Sequence, residues 1–284
     1  MSTVRGTVVV TGASSGIGQA TALHLGGLGF EVLAGVRKEP DGEAVSAAAA
    51  AAGARVEPVI VDVTDAAQVA ALGERLAGRP LAGLVNNAGV VVTGPLEFLD
   101  LDDLHRQYEI NVFGQIAVTQ ALLEPLRLAR GRIVNISSVG GRFPLAYVSP
   151  YSSSKAAFGS LSVSLRRELG RSGIRVAIIE PGAVKTPIWA KSGREAAQAL
   201  ADLLPRAREL YGQQLEGMHR TGEKTGERGT APAKVVAAIE HALTAPRPRT
   251  RYVVGADARV QLALQALLPD AVLDRVVARL TGTR

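Results

Sequence analysis

Short runs of Val, Ile and Leu recur along the chain at 8–10, 31–36, 55–61, 81–85, 132–136, 174–179 and 252–254. The central runs are almost continuously apolar, which is the pattern of strands covered on both faces. Between them lie stretches long enough for helices, at 16–28, 43–52, 65–76, 101–129, 151–170 and 234–245, several with a glycine just past the end. Strand and helix alternate, and that order predicts an α/β fold built on a doubly wound parallel sheet of about seven strands. Right-handed crossovers then place helices on both faces. The six alanines at 47–52 read as part of one ordinary helix, because Ala is the best helix former.

One stretch, 187–231, breaks the alternation. It contains Trp189, Pro205 and a Gly-, Lys- and Glu-rich portion at 221–230. A segment this long between two elements is usually functional or mobile. It is expected to form short helices that make a mobile lid, with Trp189, Leu203, Leu204, Leu210 and Tyr211 as its apolar residues. The chain reads as a single unit over 1–284, with this lid and a C-terminal tail at 256–284.

Composition narrows the chemistry. Of 284 residues 47 % are hydrophobic and 20 % charged, enough to build a core and too apolar for a disordered chain. With no cysteine, disulfides, Cys-ligated zinc, iron–sulfur clusters and a thiol nucleophile are excluded. The four histidines, His24, His105, His219 and His241, are scattered and form no HExxH pattern, so no metal site is expected. Net charge is +6, but the basic residues form no block. They read as a solvated surface, and no nucleic-acid partner is expected. No run of 18 apolar residues and no signal-like leader is found, so a cytoplasmic protein without a membrane span is the expectation.

The first strand leads directly into Thr11-Gly12-Ala13-Ser14-Ser15-Gly16-Ile17-Gly18 and then a helix. A glycine-rich turn between strand and helix lets backbone approach a pyrophosphate, while the helix N-terminus offers free N–H groups and a positive dipole end. Strand, turn, helix and second strand in that order point to dinucleotide binding. Farther on, Tyr151 and Lys155 lie four apart on a helical stretch and so share a face. Donating a proton to a carbonyl oxygen requires a pKa near the working pH. A free tyrosine titrates near ~10, so its pKa must fall by roughly three pH units. One nearby cation typically supplies ~1–3 of these, which gives Lys155 a reason to be there. Ser137 and Ser138 end the fifth strand, where open α/β sheets bind ligands, and a hydroxyl there can polarise a carbonyl.

These motifs appear in the order of one family. Thr11-Gly-x-x-x-Gly16-Ile17-Gly18, Asn86-Asn87-Ala88-Gly89, Asn111, Ser138, Tyr151-x-x-x-Lys155 and Pro181-Gly182-Ala183-Val184-Lys185-Thr186 together resemble the short-chain dehydrogenase/reductase family over about residues 5–186. The resemblance implies a Rossmann-type fold and hydride transfer between a nicotinamide cofactor and a ketone or secondary alcohol. It implies Tyr151 as the proton donor and acceptor, Lys155 lowering its pKa and holding the ribose, and Ser138, chosen over Ser137 by its spacing from Tyr151, fixing the oxygen. It gives Asn111 a water-holding role linking Lys155 to solvent; the residue alone would read as exposed or satisfied by a neighbour. Asp62, otherwise a helix or turn cap, would meet the adenine amino group, with Val63 beside it. Asn87, Ala88 and Gly89 would shape the sheet edge. Val184 and Thr186 would hold the nicotinamide carboxamide and a nearby phosphate, with Pro181 and Gly182 also at the cofactor.

The long lid and the approach to the last strand resemble the retinol and hydroxysteroid dehydrogenase branch, which implies a bulky hydrophobic substrate. A pocket edged by the lid and by Val260, Leu262, Leu264, Leu267, Leu268, Val272, Leu273, Val276 and Val277 would be apolar; alternatively the tail is an amphipathic helix packed on the body or a partner subunit. A homo-oligomer, dimer or tetramer, is expected. At the end of the second strand, Val36 stands where an NAD enzyme commonly has an acid, and Arg37 and Lys38 follow. A guanidinium suits a 2′-phosphate, so NADP(H) is the expected cofactor, with NAD(H) the alternative. Ser15, where NADP-preferring members can carry a basic residue, weakens that reading. The competing functional class is a catalytically inactive nicotinamide sensor or scaffold of the same fold.

Overall fold

The computed structural model describes residues 5–187 and 205–281. Seven strands, β1 (Thr7–Val10), β2 (Glu31–Val36), β3 (Val56–Ile60), β4 (Leu81–Asn86), β5 (Arg132–Ile136), β6 (Arg175–Pro181) and β7 (Arg251–Val254), form one sheet in the order β3-β2-β1-β4-β5-β6-β7. Every neighbouring pair is parallel. The strand boundaries agree with the apolar runs to within one or two residues, and the parallel sheet is the one those runs predict.

Alternation along each strand divides the core in two. Val8 and Val10 of β1 and Val32, Ala34 and Val36 of β2 face one side. There they meet Ala22 and Leu25 of α1 (Gly16–Gly27), Val45 of α2 (Glu39–Ala52), and Val235 and Ile239 of α9 (Pro232–Thr244). Val9, Leu33, Leu84, Ile133 and Val176 face the other side. They are covered by Val69, Leu72 and Leu76 of α3 (Ala66–Leu76), Val118 of α5 (Gly114–Ala121) and Leu126 of α6 (Leu123–Ala129), with Leu165 of α7 (Ser149–Glu168) beside them. Edge strand β3 carries the polar and ladder-breaking residues Glu57 and Pro58, as an edge permits.

Two expectations need correction. The stretch 101–129 is not one helix. It runs as α4 (Leu101–Tyr108), a wide π-helical turn (Glu109–Phe113), α5 and then α6 after a break at Leu122. Pro125 has no N–H to bond the carbonyl of Ala121, which accounts for the break. The lid stretch is not a set of short helices either: its described part is a single helix, α8 (Pro205–Arg228). Its Gly212, Gly217, Gly222 and Gly226 weaken the helical pattern of the sequence without interrupting the backbone. Trp189, Leu203 and Leu204 lie outside the described residues.

Tyr211 of α8 donates to Glu97 Oε2 at 2.7 Å and stands edge-on to Phe98 and Tyr147 at 6.0 and 6.1 Å. The tail forms α10 (Ala256–Leu267) and α11 (Asp270–Thr281). Of its apolar residues, Leu262, Leu273 and Val277 pack with Val139, Phe143 and Ala258, while Val260, Leu267 and Val272 remain exposed. The tail is thus an amphipathic pair packed on the body, over the loop that follows β5. Among the described residues, no helix is long and apolar enough to cross a membrane.

Candidate active site

At the carboxyl ends of the strands, between β1 and β4 where the strand order reverses, a cleft of about 450 Å³ opens. Such switch points are the ligand sites of open α/β sheets. Its walls come from the ends of six strands, β1 to β6, and from α7. Gly12, Ser14, Ser15, Gly16 and Ile17 line it after β1, and Val36 and Arg37 after β2. Asp62 and Val63 follow β3; Asn87, Ala88 and Gly89 follow β4. Ser138, Tyr151 and Lys155 face it from β5 and α7, and Pro181, Gly182, Val184 and Thr186 from the end of β6.

Gly18 and Lys38, both expected at the cofactor, do not line the cleft. A Cβ on Gly18 would come within 2.2 Å of the Gly12 carbonyl oxygen and 2.5 Å of Asn87 Nδ2. Its role is close packing of helix on turn. Lys38 stands exposed at the N-cap of α2, because β2 ends one residue before Arg37 and successive side chains diverge. The sequence reading missed Val61, Val90, Ile110, Ile136 and Pro187, which also line the cleft, as does Ser137, the serine weighed against Ser138. Apolar residues at strand ends and turns carry no chemical signal that separates them from core.

The turn after β1 is built to receive an anion. Gly12 and Gly16 take left-handed backbone at φ +63° and +58°. A Cβ on Gly12 would sit 2.7 Å from the Ala88 Cα. Ser15 caps α1 without a side-chain hydrogen bond, and no acid occupies the first turn, so the helix N-terminus is open to a phosphate. Asn87 Nδ2 donates to the carbonyls of Thr11 and Gly12 at 2.9 and 3.0 Å. Thr11 Oγ1 accepts from the amides of Asn87 and Ala88. Asn87 therefore holds the glycine turn in place. Asp62 Oδ1 accepts from the amide and hydroxyl of Thr64, capping its own turn while facing the cleft. This open turn, with its missing Cβ atoms, fits the pyrophosphate of a dinucleotide.

Ser138, Tyr151 and Lys155 converge at the end of β5. Tyr151 hydrogen-bonds to Ser138, whose Oγ also accepts from the amide of Gly140 at 3.0 Å. Lys155 Nζ lies 5.9 Å from the centre of the Tyr151 ring and donates to the carbonyl of Ile136 at 2.8 Å. Ser137 instead donates to the Lys155 carbonyl at 3.0 Å, which ties β5 to α7 and leaves Ser138 as the serine paired with tyrosine.

The expected lowering of the tyrosine pKa is not found. Burial pushes the Tyr151 phenol up, with the Ser138 hydrogen bond pulling the other way. Burial also lowers Lys155 to about 8. Both charged forms lose hydration in the same packed corner, and the ammonium is turned toward the Ile136 carbonyl.

Asn111 is fully buried on the π-helical turn. It accepts from the amide of Val90 at 2.9 Å and donates to the Val90 carbonyl at 3.0 Å and Ser154 Oγ at 3.2 Å. Its protein partners are thus the loop after β4 and α7; it makes no direct bond to Lys155. It is also the middle of three amides spaced four apart. Gln107 accepts from the Val92 amide and donates to the Val90 carbonyl, and Gln115 donates to the Ala88 carbonyl. An α-helix overshoots by about 80° over eight residues, and one extra residue in a wide turn takes back about 100°. The π segment thereby keeps all three amides on the 88–92 loop. The signal available in sequence was the repeated spacing of amides, which otherwise resembles one polar helix face.

Comparison with known proteins agrees with this geometry. Residues 6–197 match the family model for short chain dehydrogenase. Retinol dehydrogenase 5 of Mus musculus is 37 % identical over 280 residues, covering 95 % of this chain and 87 % of the relative. The human 17-beta-hydroxysteroid dehydrogenase type 6 is 34 % identical, with 96 % and 87 % covered. An NADPH-dependent 3-dehydrocapnine reductase of Ornithobacterium rhinotracheale is 33 % identical, with 94 % of each covered.

Among solved structures, a short-chain dehydrogenase of Streptomyces avermitilis superposes with a TM-score of 0.75 at 30 % identity, covering 99 % of this chain and 96 % of the other. One from Burkholderia cenocepacia in complex with NADP gives 0.71 at 26 %, with 95 % and 96 % covered. The glycine turn, the serine–tyrosine–lysine corner and these matches carry one conclusion: the chain belongs to the short-chain dehydrogenase/reductase family and is an NAD(P)-dependent oxidoreductase of alcohols and ketones.

Proposed function

We propose that the chain interconverts a bulky hydrophobic ketone and its secondary alcohol with NADP(H), and that Tyr151 moves the proton. The observation that carries this reading is the convergence of Ser138, Tyr151 and Lys155 on the wall of the cleft at the end of β5. The cofactor, when bound, supplies or accepts the hydride and, in its oxidised form, a positive ring. Ser138 holds the substrate oxygen, and the Tyr151 hydroxyl gives or takes the proton at that oxygen. Lys155 keeps a positive charge near the phenol at neutral pH, since its pKa of about 8 leaves most of it protonated. Burial alone raises the phenol, so the drop toward working pH relies on both positive charges acting together.

Three supports favour NADP(H). Val36 replaces the acid expected at the end of β2, Arg37 faces the cleft, and a relative and a structural neighbour are named with NADPH or NADP. The bulky substrate rests on the retinol and hydroxysteroid names of the relatives and on the aromatic residues Phe98, Tyr147 and Tyr211 gathered between α8 and the loops after β4 and β5. Nicotinamide absorbance followed with NADPH and a panel of ketones graded by size tests the reading. Turnover that rises from small ketones to steroid- and retinoid-sized ones is expected; turnover confined to the smallest ketones overturns the substrate class.

A further inference from the structure

The turn that ends β6 lines the cleft, and it is held by two other segments. Thr230, just past α8, donates its amide to the Ala183 carbonyl at 2.8 Å and accepts from the Lys185 amide at 3.0 Å. From the opposite direction comes Asp257, in the first turn of α10. Its Oδ2 accepts from the Ala183 amide at 2.7 Å. Both Gly182 and Gly255 lack a side chain where this carboxylate sits. A Cβ on Gly182 would fall 2.1 Å from Asp257 Oδ2, and one on Gly255 would fall 2.3 Å from Oδ1. Gly255 also takes φ +115°, a conformation that L side chains rarely adopt. Two neighbouring segments thus make room for one half-buried carboxylate, and the N-terminal dipole of α10 favours its charge.

We infer that Asp257 is a positioning residue for the nicotinamide end of the cofactor, fixing the 182–186 turn on which that end rests. The inference builds on the proposed placement of the nicotinamide beside Tyr151. The turn presents Gly182, Val184 and Thr186 to the cleft. Thr186 also approaches the phosphate turn, within 3.3 Å of where a Cβ on Gly16 would lie. A shift of the Ala183 peptide would therefore displace the contacts of the nicotinamide half and leave the adenine half, held by the loops after β2 and β3, in place. Asp257 is not among the residues that line the cleft. It ties the C-terminal helices to the site through one hydrogen bond.

The test compares two ligands on the full chain by titration: NADPH, and the fragment 2′-phospho-ADP-ribose, which lacks the nicotinamide. Asp257→Ala is expected to weaken NADPH roughly 10-fold, the loss of one charge-assisted bond. Fragment affinity should stay within about twofold of the native value. Asp257→Asn, which retains an oxygen acceptor without the charge, should fall between. Unchanged NADPH binding in Asp257→Ala overturns the inference, and so does an equal loss for fragment and dinucleotide, which would report general loosening.

Should Asp257→Ala fold poorly, Gly182→Ala offers a second approach, because its methyl group expels the carboxylate. It should reproduce the loss selective for NADPH; unchanged NADPH binding, or an equal loss for fragment and dinucleotide, overturns the inference. A native chain that binds fragment and NADPH equally well removes the nicotinamide placement, and the role of Asp257 with it.

Discussion

Tyr151 and Lys155 share one helix face, yet burial moves them in opposite directions, the phenol up and the ammonium down to about 8. In Tyr151→Phe the ring stays and the transferable proton goes. Turnover is expected to fall by ~10²–10⁴-fold while NADPH titration is unchanged; near-native turnover would remove the proton-transfer role. Lys155 also makes stability depend on pH. Its folded pKa of about 8 lies below the ordinary 10.5, so between those values the unfolded chain holds more protons and stability rises with pH. Below about 8 the full burial cost is present. Denaturant unfolding should show that the stability of Lys155→Met relative to the native chain declines across this window, by up to about 3 kcal/mol. A difference that stays flat with pH would show that the ammonium pays no such burial cost. At the far end of the cleft, Val36→Asp with Arg37→Ala offers ribose hydroxyls an acceptor and withdraws a phosphate partner. The ratio of kcat/KM values should move toward NAD(H). A native chain indifferent to the 2′-phosphate would refute the role of Arg37.

Among the elements, the junction of β1 with α1 leaves no room for a side chain at Gly18. The Cβ of Gly18→Ala would press on the Gly12 carbonyl and the Asn87 amide, both rigidly held. Overpacking of this kind typically costs ~1–3 kcal/mol. Thermal unfolding should move to lower temperature and NADPH binding should weaken together; loss of binding with an unchanged melting temperature would instead make Gly18 a direct ligand contact. The same element shows what a sequence conveys. The glycine turn, the strand before it and the helix after it were legible because each glycine answers a local demand of backbone or packing. The wide turn at Glu109–Phe113 was not, since one amide in Ile110-Asn111-Val112 does not by itself mark an extra residue in the helix. Its cause lies in the 88–92 loop, brought there only by folding. Helix α8 was obscured for a related reason: its glycines lower local propensity, and tertiary contacts such as Tyr211 on Glu97 come from distant sequence.

Across the whole molecule, the division of labour follows the sheet. Apolar runs specify seven strands, and parallel pairing brings their carboxyl ends to one edge, so the residues after each strand meet without being neighbours in sequence. The fold, and the meeting of Ser138, Tyr151 and Lys155 at one strand end, were legible for that reason. The tail was less so: its apolar stripe indicates burial without saying against what, and in the structure it covers Val139 and Phe143 instead of edging the cleft. Asp257 carried no signal in sequence beyond that of an acid in a first helical turn.

The amide row on the wide turn has a genetic corollary. Gln107, Asn111 and Gln115 reach one loop only because that stretch holds a residue more than a regular helix would need. An in-frame loss of a single codon between 109 and 113 would let an unbroken helix run through. Every strand, the serine, the tyrosine and the lysine would remain intact, yet the loop after β4 would lose a rung of its support. Chain length at this point therefore matters apart from residue identity, and a substitution scan, however complete, would not reveal it.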